Sequence, residues 1–261
     1  MGDIEIAYRE AGEGRPLVLI HGLAQDHGMW AHEQADLSGY RTLALDVRGH
    51  GDTATGAADG TLAQLGGDLV AFLEAIGPAT CIGFSLGGTI ALWAAAERPD
   101  LVVGVAAIAT SSVVGRQAAD GMRERIAIAE EGDRAAMRDL LVRDTHYQLS
   151  DGAADAAAIA EQRLRAIGDR TGYTNGLRAM LAMRDEPLND RLEQISVPVL
   201  VVTGEHDAVC PGRAAEIMRE HLPSTAEFLE IAGVGHLMTD EAPRAVSGAL
   251  RGWLEAGDRR G

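Results

Sequence analysis

The chain has 261 residues, 46% of them hydrophobic, which suits one α/β domain with a sizeable core. Its formal net charge of −16 argues against nucleic acid and against an anionic membrane surface as partners, because both require a basic patch that the sequence lacks. The first residues contain neither a basic segment nor an apolar core, so we expect no signal peptide, no membrane span and a cytoplasmic location.

Strands and helices alternate through the first part of the chain. Residues 4–9 alternate apolar and polar side chains, as a half-buried strand does, and residues 16–20 form a continuous apolar run typical of a fully buried strand. Residues 40–46 and 79–82 are further predicted strands. Helices are predicted over 62–76, from the spacing of the leucines, and over 89–97, which lacks glycine and proline.

In the second part of the chain, a long stretch without predicted strands is followed by a return to alternating strands and helices. After the apolar run 101–109, residues 111–191 mix charges with apolar residues at helical spacing and contain no strand-like run. We predict a helical cap at 111–191, inserted before the last two strands, with 1–110 and 192–261 as the core. Strands at 197–202 and 226–231 and a helix at 243–254 complete an α/β fold: a mostly parallel twisted sheet with helices on both faces.

Residues 83–88, Gly-Phe-Ser-Leu-Gly-Gly, separate a predicted strand from a predicted helix. This order is typical of a nucleophile elbow, a strained turn that exposes one side chain at the edge of a sheet. Side chains at Gly83 and Gly87 would collide where the strand and the helix approach each other. The sequence therefore predicts that Ser85 is a nucleophile.

Two further residues follow predicted parallel strands as Ser85 does. Asp207 and His236 each lie just past such a strand, so all three side chains should meet at the edge of the sheet where ligands bind. A histidine can remove the serine proton at neutral pH, and an aspartate can hold the histidine in the required tautomer. We predict a catalytic triad of Ser85, Asp207 and His236, with Glu205 as an alternative acid.

The backbone N–H groups of Leu23 and Leu86 are the candidate oxyanion hole, because each lies in a loop or helix start beside the predicted site. His21 is expected to be structural. The candidate pocket residues lie near the motifs or in the cap, and core packing is the alternative for each of them: Trp30, Phe84, Trp93, Met122, Val209 and Leu237.

Such a pocket suits a small apolar or aromatic ester or lactone, and a diacid would need a cap arginine such as Arg116, Arg123 or Arg125. No cofactor motif and no Cys/His spacing for a metal is present in the sequence, and Cys81 and Cys210 are expected to be free thiols.

Several motifs together resemble the α/β-hydrolase superfamily over nearly the whole chain: His-Gly-Leu at 21–23, Asp-Val-Arg-Gly-His-Gly at 46–51, the elbow at 83–88, Gly-Glu-His-Asp at 204–207, and Gly-Val-Gly-His at 233–236 with Glu241 and Pro243. The chain is most similar to small bacterial esterases and lactonases of the 3-oxoadipate enol-lactonase and cofactor-free haloperoxidase type. Asp52 departs from that pattern, which usually has Ser or Thr there.

The resemblance implies hydrolysis of an ester or lactone without a cofactor. It leaves two alternatives open: a carbon–carbon bond hydrolase of a ring-fission diketone, which uses the same three residues, and a non-catalytic ligand-binding protein of the same fold.

Overall fold

The computed structural model describes residues 3–150 and 155–259. Its strands form one sheet of seven: β1 (Tyr8–Ala11), β2 (Pro16–Ile20), β3 (Arg41–Leu45), β4 (Ala79–Phe84), β5 (Val102–Ile108), β6 (Val199–Gly204) and β7 (Glu227–Ile231). The order in the sheet is β1-β3-β2-β4-β5-β6-β7. Strand β1 is antiparallel to β3, and every other neighbouring pair is parallel, so the predicted mostly parallel sheet is confirmed.

A short 3-10 helix (His27–Trp30) precedes the α-helices of the described residues, which are α1 (Ala31–Asp36), α2 (Leu62–Ile76), α3 (Leu86–Glu97), α4 (Arg116–Glu131), α5 (Arg134–Gln148), α6 (Ala156–Ala166), α7 (Thr171–Ala182), α8 (Asn189–Leu192), α9 (Gly212–His221), α10 (Met238–Glu241) and α11 (Pro243–Asp258). Helices α4 to α8 lie between β5 and β6, and we call them the helical insertion. No helix within the described ranges is both long and apolar enough to cross a bilayer.

The alternation of side chains along β2 divides the core into two clusters. Leu17 and Leu19 pack in one cluster, with residues of α11, whereas Val18 and Ile20 pack in the other, with residues of α2 and α3. Successive residues of a strand point to opposite faces, so a strand buried on both sides must be apolar throughout. Helices therefore cover both faces of the sheet, as the sequence predicts.

Two predicted boundaries are wrong. The first strand begins at Tyr8 rather than at residue 4, because the N–H of Ala7 donates to Thr53 Oγ1 (2.9 Å) and its carbonyl accepts the N–H of Asp46 (2.9 Å), outside any strand ladder. The last helix, α11, starts at Pro243 as predicted but continues to Asp258 instead of ending at residue 254. Proline suits that position because a first-turn N–H would have no helical partner.

Candidate active site

The turn between β4 and α3 holds Ser85 in a strained conformation, with φ 51° and ψ −115°. Its N–H donates to the carbonyl of Ile108 on β5 (2.8 Å), which fixes the turn to the sheet. A Cβ on Gly83 would lie 2.2 Å from the carbonyl oxygen of Gly87, and a Cβ on Gly87 would lie 2.1 Å from that of Ile20. The two glycines are therefore required by close backbone approach, and Ser85 is left half-buried at the carboxyl edge of the sheet.

Asp207 follows β6, and both of its carboxylate oxygens accept hydrogen bonds. Oδ1 accepts the backbone N–H groups of Val209 and Cys210, both at 2.8 Å, and Oδ2 lies 2.9 Å from Nδ1 of His236. Burial acts to raise the pKa of Asp207, but the contact with His236 and the two N–H donors outweigh it, so the pKa lies below its usual value. The carboxylate is thus held charged and oriented beside the histidine.

His236 connects this carboxylate to the serine. Its Nε2 lies 3.1 Å from Oγ of Ser85, while its Nδ1 faces Asp207. The ring of Phe84 packs against the imidazole, with the ring centroids 5.2 Å apart. The three side chains predicted from the sequence therefore form one continuous chain of hydrogen bonds from Ser85 to Asp207.

The backbone of His236 is held by the helical insertion. The carbonyl of Gln148, the last residue of α5, accepts the N–H groups of His236 (2.7 Å) and Leu237 (3.3 Å). The neighbouring Tyr147 donates its hydroxyl to the carbonyl of Ala208, in the loop that carries Asp207 (3.3 Å). We call residues 147–150 the strap, because this segment contacts both the aspartate loop and the histidine loop.

Glu241 joins the strap to the histidine loop through one carboxylate. It accepts the N–H of Gly235 (3.1 Å to Oε1), the N–H of Ser150 (3.0 Å to Oε2) and the hydroxyl of Ser150. Glu205, considered above as an alternative acid, is instead exposed and accepts the N–H of Gly233 (2.8 Å), at the other end of the same loop. In the sequence, Glu241 is recognisable only as a motif residue of the family, and the motif does not predict these contacts.

Leu23 and Leu86 supply the backbone N–H groups predicted as the oxyanion hole. In residues 3–150 and 155–259 neither N–H has a hydrogen-bond partner. Both side chains pack against Gly176 of α7, where an added Cβ would lie 2.8 Å from Leu23 Cδ1 and 3.1 Å from Leu86 Cδ2. The next residue, Ala24, has a positive φ of 58° and donates its N–H to Nε2 of His50 (3.3 Å). The loop that carries Leu23 and Ala24 is thus held by the hydrogen bond to His50 and by the contact with α7 of the helical insertion.

His21 and His50 are buried structural residues, and the tautomer with the proton on Nδ1 suits both, because each Nδ1 faces a carbonyl oxygen and each Nε2 accepts a backbone N–H. Nδ1 of His21 lies 2.7 Å from the carbonyl of Gly22, and its Nε2 accepts the N–H of Val47 (2.9 Å), so the neutral form satisfies both atoms. Burial lowers the pKa of His21 to about 4 and that of His50 to about 3. The structural role expected for His21 is confirmed.

Three of the candidate pocket residues lie close to the triad or the oxyanion loop. Phe84 contacts His236 as described, and Met122 of α4 is half-buried in the cluster against which Leu23 also packs. Val209 is exposed beside Asp207. All three side chains are apolar, and their place in the walls of the pocket stays a prediction.

The other three pocket candidates pack elsewhere. Trp30 is fully buried in the cluster between the sheet and α11, and Leu237 is buried in the same cluster. Trp93 lies more than two turns along α3 from Ser85, over Gly66 and within 5.4 Å of the guanidinium of Arg191. The structure thus places these three residues in core or interhelical packing, which was the alternative stated for each of them.

The three arginines named in the predicted cap differ in their exposure and in their ion pairs. Arg125 makes two hydrogen bonds of 2.7 Å to the carboxylate of Asp144, Arg123 pairs with an adjacent aspartate on the surface, and Arg116 is exposed. Arg163 of α6 is also buried in the helical insertion, and the sequence analysis did not predict its burial. No local sequence signal marks it, because its burial depends on how the helices of the insertion pack.

Asp207, Cys210 and His236 are the one group within the described residues whose ligand atoms lie close enough to hold a metal ion, all within 4.8 Å of one another. Two of them form the Asp–His pair, so a metal there would compete with the hydrogen bond between them. Cys81 and Cys210 are buried free thiols, as predicted.

Known proteins match this architecture over nearly its full length. A family model described as alpha/beta hydrolase fold matches residues 15–243. The (E)-2-((N-methylformamido)methylene)succinate hydrolase of Acinetobacter baylyi is 30% identical over 256 residues, which cover 95% of this chain and 93% of the relative. The 3-oxoadipate enol-lactonase 1 of the same species is 28% identical over 247 residues, covering 92% of this chain and 88% of that enzyme.

Among solved structures, the enol-lactonase from Burkholderia xenovorans LB400 superposes with a TM-score of 0.86 at 25% identity, covering 97% of each chain. The strand order, the elbow and these full-length matches agree with one another. The chain belongs to the α/β-hydrolase family.

Proposed function

We propose that this protein is a serine hydrolase that cleaves a small carboxylic ester or lactone through an acyl-enzyme on Ser85. The observation that carries the proposal is the chain of hydrogen bonds from Ser85 Oγ to His236 Nε2 (3.1 Å) and from His236 Nδ1 to Asp207 Oδ2 (2.9 Å). Both distances lie within the range in which a base can accept a proton and an acid can orient that base.

The first half of the reaction transfers the acyl group to the serine. Ser85 attacks the carbonyl carbon while Nε2 of His236 accepts the hydroxyl proton, and the buried Asp207 stabilises the resulting imidazolium. The carbonyl oxygen becomes an oxyanion, which the unpartnered N–H groups of Leu23 and Leu86 would receive. His236 then donates its proton to the departing alcohol oxygen, which stays attached to the acyl chain when the substrate is a lactone.

The second half releases the acid. A water molecule donates its proton to His236 Nε2 and attacks the acyl-enzyme, and collapse of the second tetrahedral intermediate returns the proton to Ser85. The products are a carboxylic acid and an alcohol, or one hydroxy acid. The same groups therefore serve both steps, and the protein needs no cofactor for this chemistry.

The relatives support an acyl substrate of this kind. Two of them bear the names 3-oxoadipate enol-lactonase and pimeloyl-[acyl-carrier protein] methyl ester esterase, which describe a lactone and an ester. The apolar side chains beside the site, including Phe84 and Met122, favour a substrate with an apolar or aromatic body.

The experiment that tests the proposal labels the native protein and a Ser85→Ala variant with a fluorophosphonate probe, and then measures hydrolysis of p-nitrophenyl acetate and butyrate. We expect labelling at Ser85 alone and loss of turnover in the variant. Labelling without turnover of any ester, but with cleavage of a ring-fission diketone, would favour the carbon–carbon hydrolase. An unlabelled Ser85 in folded protein would overturn the proposal in favour of a binding protein.

A further inference from the structure

The loop after β6 brings the thiol of Cys210 next to the catalytic Asp207. Oδ1 of Asp207 accepts the backbone N–H groups of both Val209 and Cys210, each at 2.8 Å. A carboxylate that accepts the N–H groups two and three residues later holds the chain around itself in a tight turn. The side chain of Cys210 is therefore returned to the neighbourhood of the carboxylate that holds its backbone.

The thiol lies within reach of both members of the Asp207–His236 pair. Its sulfur, a carboxylate oxygen of Asp207 and a ring nitrogen of His236 all lie within 4.8 Å of one another. Because Nε2 of the ring faces Ser85 and Nδ1 faces Asp207, the nitrogen on the side of the thiol is Nδ1. One sulfur, one nitrogen and one oxygen atom therefore surround a single point between the aspartate loop and the histidine loop.

The sulfur of Cys210 has no other partner in the described part of the chain. The residue is 8% exposed, and within residues 3–150 and 155–259 its Sγ makes neither a hydrogen bond nor a disulfide. The proposed reaction uses only the backbone N–H of Cys210, which helps to hold Asp207. A buried, unpaired thiol that faces an aspartate and a histidine is thus free to bind an ion.

The three donor atoms select the kind of ion. Thiolate and imidazole are the preferred ligands of Zn²⁺ and of the still more thiophilic Cd²⁺, and a carboxylate is a common further ligand. Mg²⁺ and Ca²⁺ need several oxygen ligands, whereas this group offers a single carboxylate. The group therefore suits a thiophilic divalent cation with three protein ligands and an open fourth position.

Small movements are enough to give these atoms the geometry of a zinc site. In a tetrahedral site with bonds near 2.0–2.3 Å, neighbouring ligand atoms lie roughly 3.4–3.6 Å apart. Nδ1 of His236 and Oδ2 of Asp207 are 2.9 Å apart and would separate slightly, while the sulfur approaches by rotation about one side-chain bond. Ala208, Val209 and Pro211 are exposed, so an ion can enter from solvent through this loop.

An ion at this point would prevent His236 from acting as a base. Burial and the charge of Asp207 raise the pKa of the Cys210 thiol, so the thiol is neutral without an ion and leaves the Asp207–His236 hydrogen bond intact. When the ion binds, the thiol proton leaves to solvent, and Nδ1 exchanges its hydrogen bond for a bond to the metal. The proton of the neutral imidazole moves from Nδ1 to Nε2, which then faces Ser85 and cannot accept the hydroxyl proton.

We propose that Asp207, Cys210 and His236 form an inhibitory site for Zn²⁺, in which the metal replaces the hydrogen bond between the aspartate and the histidine. The inhibitory effect rests on the proposed function, whereas binding of the ion does not. An aspartate and a histidine alone are too few ligands to hold Zn²⁺ tightly, so the sensitivity to the metal depends on Cys210.

The first measurement follows binding and does not depend on activity. Cys81 is the other of the two cysteines in the sequence, so Cys81→Ala leaves Cys210 as the only thiol. Chelator-treated Cys81→Ala is titrated with Cd²⁺, and the ultraviolet absorption of the cadmium–thiolate bond is recorded. We expect one equivalent of Cd²⁺ to saturate the band and Zn²⁺ to displace the cadmium. Adding His236→Ala should weaken Cd²⁺ binding at least about tenfold, because one ligand is lost.

The second measurement follows inhibition of p-nitrophenyl acetate hydrolysis by Zn²⁺, with each protein compared with its own rate in the absence of metal. Loss of a group that only orients a metal ligand costs about 10- to 100-fold in affinity. We therefore expect the Zn²⁺ concentration for half-inhibition to rise at least about 100-fold in Cys210→Ser, which loses a ligand itself. Cys81→Ala is the matched control, because it removes the other buried thiol and should be as sensitive as the native protein. EDTA should restore the native activity in full.

Several results would overturn the site. These are the absence of a cadmium–thiolate band in Cys81→Ala, equal Cd²⁺ affinity with and without His236, and equal Zn²⁺ sensitivity of the native protein and Cys210→Ser. Recovery with dithiothreitol but not with EDTA would also overturn it, because the thiol would then be oxidised rather than metal-bound. Cys210→Ala replaces Cys210→Ser if the latter does not fold, and the cadmium titration decides alone if neither folds. A thiolate band in a protein that hydrolyses no ester would confirm metal binding and refute the proposed function instead.

Discussion

The buried Glu33 predicts how the free energy of unfolding depends on pH. The residue is fully buried on a face of α1 that continues into the flanking Trp30 and Leu37, and within residues 3–150 and 155–259 neither of its carboxylate oxygens has a hydrogen-bond partner. Burial raises its pKa from 4.5 to about 8. The folded protein therefore keeps the Glu33 proton through neutral pH, whereas the unfolded chain releases it near pH 4.5.

The sign of the resulting pH dependence follows from proton binding. Between pH 4.5 and about 8 the folded state binds one more proton at Glu33 than the unfolded state, so stability falls as pH rises. The slope is about 1.4 kcal/mol per pH unit at most, which gives a loss of about 3–4 kcal/mol between pH 5 and pH 8. Glu33→Met replaces the carboxyl with an apolar side chain of similar length and should abolish this loss.

The measurement is urea unfolding of the native protein and of Glu33→Met at several values between pH 5 and pH 8. We expect the stability of the variant relative to the native protein to increase by about 3–4 kcal/mol over this range. Glu220→Met, at an exposed position of α9, is the control and should give a constant difference. A constant difference for Glu33→Met as well would refute the reasoning, because it would mean that Glu33 is solvated or partnered in the folded protein.

Three further predictions concern the site, each measured by steady-state kinetics on neutral esters. Asp207→Asn should lower kcat by about 10⁴-fold with little change in KM, because an amide favours the wrong histidine tautomer; a loss below tenfold would contradict the role of the acid. Glu241→Gln weakens charge-assisted hydrogen bonds worth about 1.5–3 kcal/mol each, so we expect kcat to fall about 10- to 100-fold. Glu205→Gln, which alters the other end of the same loop, should stay within about twofold, and equal effects of the two would argue against a specific contribution of the strap. Gly176→Ala should reduce kcat about tenfold by displacing the two leucines of the oxyanion loop, and unchanged kinetics would show that α7 adjusts freely.

The parts of the fold that follow from local patterns could be predicted from the sequence. A continuous apolar run such as that of β2 is required wherever both faces of a strand are covered, and the elbow glycines are required by close backbone approach. Because parallel strands end at one edge, the positions of Ser85, Asp207 and His236 after three such strands were enough to predict that their side chains meet.

Contacts across the insertion could not be predicted, because they depend on the packing of helices whose patterns are weak. The sequence does not show that Trp93 packs over Gly66 and beside Arg191, because these contacts join residues that are far apart along the chain. The carbonyl of Gln148 acts through the backbone, so its side chain carries no signal of that contact. Arg163 is one arginine among many, and its burial depends on how the helices of the insertion pack.

The strap has a consequence for recombining members of this family. An engineer who wants to change substrate specificity and keep the catalytic residues would exchange the whole segment between β5 and β6. Here the segment to be exchanged contributes the carbonyl of Gln148 to His236 and the N–H of Ser150 to Glu241. A chimera that joins a foreign insertion to this scaffold must therefore supply the same two backbone groups at the end of its own helix, or it will inherit a new pocket together with a poorly oriented base.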